Sequence, residues 1–376
     1  MKELLLIPGP TPVSTEVLAA LSQETISHTD ERFVRIMSDT LSKTKLVFGA
    51  ASGYPFVVAG SGTLGMEIAL TNILKDDENL LVVSHGYFGD RFIDIAKALN
   101  VNADYLKAPT GCTVPINDIE KSIKSKHYDA VTITHVDTST GTLADLELIA
   151  KSIREVSPST LIVVDAVCAA GGVSEKFDDW GIDVIFTGSQ KAIAVPPGLT
   201  MLAFSEKAIE KRKSVQKVRT YYGDILRWLP VMEDPHKYFA TPAVNMVYAL
   251  NKSLNDIVTF GLSNYIDKHY KLAKLVRRSM SSMGFELVSK NPAPTLSVFR
   301  YPQGVNDLDF RDRLYKKGVV VAGALAELQG KAFRMGHMGS VTEDELFVAV
   351  KKIAQVLGEY GLDYNYGEVF SGFTEK

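Results

Sequence analysis

The chain holds only two cysteines, Cys112 and Cys168, far apart and in no CxxC pair. That argues against a disulfide framework and against a structural zinc site. Cys168 lies in an apolar context and reads as a small packed hydrophobe rather than a nucleophile. No apolar run approaches the length of a membrane span, because Gly, Asp or Ser interrupts each one. The N-terminal MKELLLIPGP loses its short apolar run at Pro8, too early for a signal-peptide core, so the expected location is the cytoplasm. Charge of one sign is also lacking: 41 basic and 44 acidic residues leave a net charge of -3. Basic residues are not interleaved with aromatics as in single-strand binders, and Lys211-Arg212-Lys213 reads as a solvated helix end. No nucleic-acid, membrane or metal partner is expected, and no internal repeat is visible.

What is present is an alternation. Its 376 residues, 46% hydrophobic and 23% charged, suit a soluble protein of one large and one smaller domain. After a rigid arm, Ile7-Pro8-Gly9-Pro10-Thr11-Pro12, helical patterns cover Val13 to Leu21 and Glu31 to Phe48. Strand patterns follow at Phe56–Ala59, Leu80–Val83, Asn102–Leu106, Ala130–Thr134, Leu161–Val164, Val184–Phe186 and Leu199–Phe204, separated by helical stretches through Val156. This rhythm predicts an α/β fold with a mostly parallel sheet flanked by helices. Beyond it come a charged helix to about Val218 and an irregular aromatic stretch, Tyr221 to Pro242. A long helical pattern, Val244 to Ser282, is broken near Gly261. Short strands and a last helix, Glu343 to Gly358, complete a smaller α+β C-terminal domain. The expected division is 1–20 as an arm associated with the small domain, 21–254 as the large domain and 255–376 as the small one. Tyr360 onward reads as a loose tail.

Polar groups at the ends of these strands carry the chemistry. Asp165 ends one apolar run, and Lys191 lies just past the next, in Thr187-Gly188-Ser189-Gln190-Lys191. In an open α/β sheet, strand ends are where ligands bind. An acid and an amine placed there suit a pyridine cofactor held as a Schiff base: the carboxylate keeps the ring nitrogen protonated and the lysine forms the imine. Gly60-Ser61-Gly62-Thr63-Leu64-Gly65 is a glycine-rich turn entering a helix, which offers backbone N–H groups to an anion. It lacks the Gly-Lys-Ser/Thr of a nucleotide loop, and a plain strand–helix turn is its competing reading. His85-Gly86-Tyr87-Phe88-Gly89 and His135-Val136-Asp137-Thr138-Ser139-Thr140-Gly141 both follow strands. A core phenylalanine and ordinary capping are the competing readings there.

Together with the opening Pro-Gly-Pro-Thr-Pro and the late Arg334-Met335-Gly336-His337-Met338-Gly339, these motifs resemble the class V, fold-type I pyridoxal-phosphate aminotransferases. The similarity is to the serine-pyruvate and alanine-glyoxylate branch and covers essentially the whole chain. It implies that pyridoxal 5'-phosphate is bound covalently to Lys191, which also carries the proton, with Asp165 on the pyridine nitrogen. Ser61, Gly62, Thr63 and Gln190 would hold the phosphate, Phe88 would stack on the ring, and Ser139 would lie beside the 3'-hydroxyl. Tyr238 and Thr241 would reach the phosphate of the neighbouring subunit of a homodimer. Arg334 would grip the substrate carboxylate with its planar fork, and the backbone near Gly9 would line the substrate mouth. With one clear carboxylate-binding arginine, a small donor such as L-serine or L-alanine is expected, with pyruvate or glyoxylate as acceptor; Arg32 and Arg219 are further candidates to enter the pocket. A cysteine desulfurase would need a mobile cysteine late in the chain, and none lies beyond Cys168. Aminoethylphosphonate–pyruvate transamination and a non-catalytic cofactor-binding or scaffolding role stay open as alternatives.

Overall fold

The computed structural model describes residues 3–374. A seven-stranded sheet runs, edge to edge, through Tyr54–Gly60, Gly198–Phe204, Val184–Gly188, Leu161–Asp165, Ala130–Thr134, Asn79–Ser84 and Asn102–Lys107. Gly198–Phe204 is antiparallel to both neighbours, and the remaining adjacent pairs are parallel. The central strands are buried along their full length, which is why they read as unbroken apolar runs rather than alternating ones. Leu161, Ile162, Val163 and Val164 are each at most 3% exposed, and burying each such side chain is worth about 1.5–3 kcal/mol.

Helices cover the sheet and begin where their sequences place caps. Asp30 accepts from Arg32 N at 2.8 Å to open Glu31–Phe48, and Gly49, in the left-handed region at φ 62°, closes it. Thr342 and Glu345 form a reciprocal capping box at the start of Glu343–Glu359. The long pattern from Val244 divides into Val244–Phe260 and Leu262–Ser282 at Gly261.

A four-stranded antiparallel sheet, in the order Glu286–Leu287, Leu296–Arg300, Ala332–Gly336, Ala322–Gly323, carries a second apolar cluster. The N-terminal arm joins this region: Leu4–Leu5 pairs in parallel with Val319–Val320, and Leu6 packs in the second cluster.

Three segments differ from the sequence expectation. The tail from Tyr360 is not loose. Tyr366–Thr374 is a helix whose Val369, Phe370 and Phe373 bury into the second cluster, an apolar face too short for periodicity to reveal. The aromatic stretch contains the helix Ile225–Glu233, capped by Asp224, with Pro230 inside it. Trp228 is 2% exposed there and donates to Tyr222 O at 2.6 Å. Tertiary burial of that ring outweighs the proline's missing donor. The charged helix is also shorter than expected, Glu206–Ser214.

Candidate active site

Because the parallel strands share one direction, their carboxyl ends converge on one edge of the sheet. Asp165 is the last residue of its strand, and Lys191 follows the end of the adjacent strand, Val184–Gly188. Both border a cavity of about 140 Å³ that is also lined by Ser61, Gly62, Thr63, Phe88, Thr138 and Gln190. The geometry thus brings together most of the expected residues, drawn from four separate strand ends.

At one end of the cavity is the start of the helix Gly62–Ile73. Ser61 makes no side-chain cap, and the first helical bond runs from Gly65 N to Ser61 O at 3.1 Å. The amides of Gly62, Thr63 and Leu64 therefore lack helical acceptors and sit at the positive end of the helix dipole. A Cβ on Gly62 would come within 2.5 Å of Val167 Cγ2, so the turn closes onto the Asp165 loop only with glycine there. Gln190 Oε1 is buried beside them without a hydrogen-bond partner. The free helix amides fit a ligand with a phosphate group; an amide oxygen only accepts, so Gln190 would meet such an anion through its NH2 donor.

At the other end, Asp165 is 4% exposed and its Oδ1 accepts from Val167 N at 2.9 Å. Burial pushes its carboxyl up to about 7, with the Asp137 charge adding to the effect. A cationic ring nitrogen placed against it would return the carboxylate to its ionised form. Burial also pulls the Lys191 amine below its ordinary range, the direction that makes a lysine nucleophilic near neutral pH. Lys191 Nζ donates to Pro8 O, and Thr11 Oγ1 donates to Lys191 O at 2.8 Å. The arm therefore crosses directly over the lysine. A Cβ on Gly9, at φ 132°, would lie 2.7 Å from Lys191 Nζ.

Phe88 stands in the first turn of the helix Tyr87–Ala98. Asp137 anchors that turn, accepting from Phe88 N at 3.0 Å and Gly89 N at 3.2 Å, and from Ser139 N at 2.8 Å. Ser139 itself does not line the cavity. Its Oγ accepts from Tyr87 N at 3.0 Å and donates to Asp137, and it borders a neighbouring hollow instead. Thr138, one residue earlier, lines the cavity together with Val136 of the same segment.

Arg334, in the strand Ala332–Gly336, donates from Nε to Gly323 O at 2.9 Å and approaches Thr138 O at 3.5 Å through Nη1. It is not among the residues lining the cavity, though Thr138 connects the two. Tyr238 and Thr241 lie elsewhere, both exposed, with their hydroxyls 3.4 Å apart. Arg32 and Arg219 do not enter the pocket and pair with Asp30 and Asp76. Arg91 does line it, and neither it nor Asp137 was singled out from the sequence. The signal that could have found Asp137 is its Asp-x-Ser spacing, which suits a side chain accepting from the backbone two residues on.

A family model described as aminotransferase class-V matches residues 5–326. The chain belongs to the class-V aminotransferase family. Alanine–glyoxylate aminotransferase 1 of Saccharomyces cerevisiae is 37% identical, over 90% of this chain and 92% of that protein. The L-aspartate–glyoxylate aminotransferase of Paracoccus denitrificans is 29% identical over 96% and 93%. The crystal structure of an alanine–glyoxylate aminotransferase from Nostoc superposes with a TM-score of 0.91 at 29% identity, covering 95% of this chain and 96% of the other. This aminotransferase therefore has the fold-type I architecture that the resemblance implies, built on the α/β alternation that its strand rhythm predicts. Among its described residues no helix is long and apolar enough to cross a membrane.

Proposed function

We propose that this aminotransferase holds pyridoxal 5'-phosphate in the Lys191 cavity and moves an amino group from L-serine or L-alanine to pyruvate or glyoxylate. The observation that carries the reading is the pairing of a buried carboxyl shifted to about 7 with a buried lysine, across a cavity closed by an unsatisfied helix N-terminus. When bound, the cofactor supplies a carbonyl for covalent attachment and a ring that accepts the electrons released at the substrate Cα.

Each side chain then has a part. Ser61, Gly62, Thr63 and Gln190 hold the phosphate. The Asp165 carboxylate keeps a proton on the ring nitrogen, and Phe88 supports the ring face. Arg334 Nη atoms take the substrate carboxylate, which turns the Cα–H bond toward Lys191. Lys191 Nζ, once freed by the incoming amino group, would remove the Cα proton and pass it to cofactor C4', so that one amine would act as anchor, base and acid. The arm at Pro8 and Gly9 covers Nζ and narrows the mouth for a small substrate. Tyr238 and Thr241, exposed in one protomer, serve the phosphate site of a second copy, which makes the working unit a homodimer.

A small donor is favoured because Arg32 and Arg219, the further arginines considered for a side-chain carboxylate, are held elsewhere. Glyoxylate as acceptor is supported by the names of the yeast and Paracoccus relatives. The test is a half-reaction followed by absorbance: L-serine, L-alanine, L-aspartate or aminoethylphosphonate is added to the loaded protein, then pyruvate or glyoxylate. Bleaching of the visible band by serine or alanine, and its return with the oxo acid, is expected. A band that responds only to aminoethylphosphonate would replace the donor assignment, and one that responds to no amine would leave a binding protein.

A further inference from the structure

Among the described residues, Arg91 is the one cation lining the Lys191 cavity apart from the lysine itself, and nothing in the mechanism above uses it. It lies one helical turn after Phe88, so both side chains project from the same face of Tyr87–Ala98. Its Nη1 donates to Thr63 Oγ1 at 3.0 Å. Its Cζ is 4.8 Å from the centroid of the Phe88 ring and 5.5 Å from that of Tyr87. Among the described residues no carboxylate lies within ion-pairing distance of this guanidinium, although the chain pairs many of its other arginines. A half-buried guanidinium with a single protein acceptor is a poor structural staple. It keeps unspent donors and a full charge beside the helix end where the phosphate is read to bind.

We propose that Arg91 is a positioning residue that joins the phosphate cradle to the stacking ring. Through Thr63 it fixes the first turn of Gly62–Ile73, and through its cation–π contact it fixes the tilt of Phe88. Its charge also adds to the positive potential of the helix N-terminus. Cradle and ring come from different strand–helix units, Tyr54–Ile73 and Asn79–Ala98, and Arg91 supplies a direct side-chain link between them at the cavity. Its effect is on how tightly and in what orientation the cofactor is held, not on recognition of the amino acid, which falls to Arg334. The inference rests on the cofactor reading of the Lys191 cavity.

The experiment titrates pyridoxal 5'-phosphate into apo protein and follows protein fluorescence, for wild type, Arg91→Met, Arg91→Lys, Thr63→Val and the Arg91→Met/Thr63→Val double variant. Removing the charge beside the helix N-terminus and the link that pre-orders cradle and ring should weaken cofactor binding roughly tenfold or more in Arg91→Met. Arg91→Lys should recover part of the loss. In the double variant the Thr63 substitution should cost less than it does alone, because its partner is already gone. Apo thermal stability should fall by clearly less than cofactor affinity does in Arg91→Met. Unchanged cofactor affinity would overturn the proposal, as would additive effects of the two substitutions. An equal fall in apo stability would make Arg91 merely structural. A changed preference between L-aspartate and L-alanine at constant cofactor affinity would make it a substrate-reading residue instead. Failure of the cofactor reading itself is seen separately, since wild type would then show no saturable binding and no visible band dependent on Lys191.

Discussion

Replacing Asp165 with Asn should stabilise the empty protein and disable the loaded one. The folded carboxyl holds its proton to about pH 7, whereas in the unfolded chain it releases it near the ordinary aspartate value. Between those two values the native state binds more protons than the unfolded state, so stability falls as pH rises through the window, and the loss is complete above it. A shift of about three units corresponds to roughly 4 kcal/mol, of which roughly 2–3 kcal/mol develops between pH 5 and pH 8. Asn cannot ionise but keeps an oxygen for the Val167 N–H, now accepted at 2.9 Å. Urea unfolding of apo wild type and apo Asp165→Asn, at equal protein concentration, should therefore show the variant gaining on wild type from pH 5 to pH 8. Turnover of the loaded variant should fall by orders of magnitude, because no anion holds the ring proton. A stability difference that ignores pH, or a variant less stable at pH 8 than at pH 5 relative to wild type, would refute the electrostatic argument.

Arg334→Lys keeps the charge but loses the planar fork; kcat/KM for the amino donor should fall about 10–100-fold, with cofactor affinity unchanged by fluorescence titration. Gly9→Ala places a Cβ 2.7 Å from Lys191 Nζ in a backbone region that favours glycine, so steady-state assay should show kcat falling more than melting temperature would explain. Lys191→Ala should abolish turnover, by at least about a thousandfold, and the visible band, while circular dichroism stays native.

Much of the fold was legible because its central strands are buried on both faces and end in polar residues. Apolar runs such as Leu161–Val164 need no partner to be read as strands, and Asp165 and Lys191 stand out against them. What could not be read was register within turns and contact across the fold. Ser139 and Thr138 differ by one position in a loop, and only the bonds of Ser139 to Tyr87 N and Asp137 turn it out of the cavity. Arg91 sits in an amphipathic helix like any surface arginine until Thr63, 28 residues away, comes within 3.0 Å. The helix Ile225–Glu233 was hidden by Pro230, since local propensity argues against it and only the burial of Trp228 explains it. Tyr366–Thr374 was hidden for the opposite reason, being too short to show a period.

The central claim is that Lys191 carries the cofactor. Borohydride reduction of the loaded protein, followed by peptide mapping by mass spectrometry, tests it directly. One pyridoxyl adduct per chain is expected, on the peptide containing Lys191 and absent from Lys191→Ala. An adduct on another lysine, or none at all, would contradict the account.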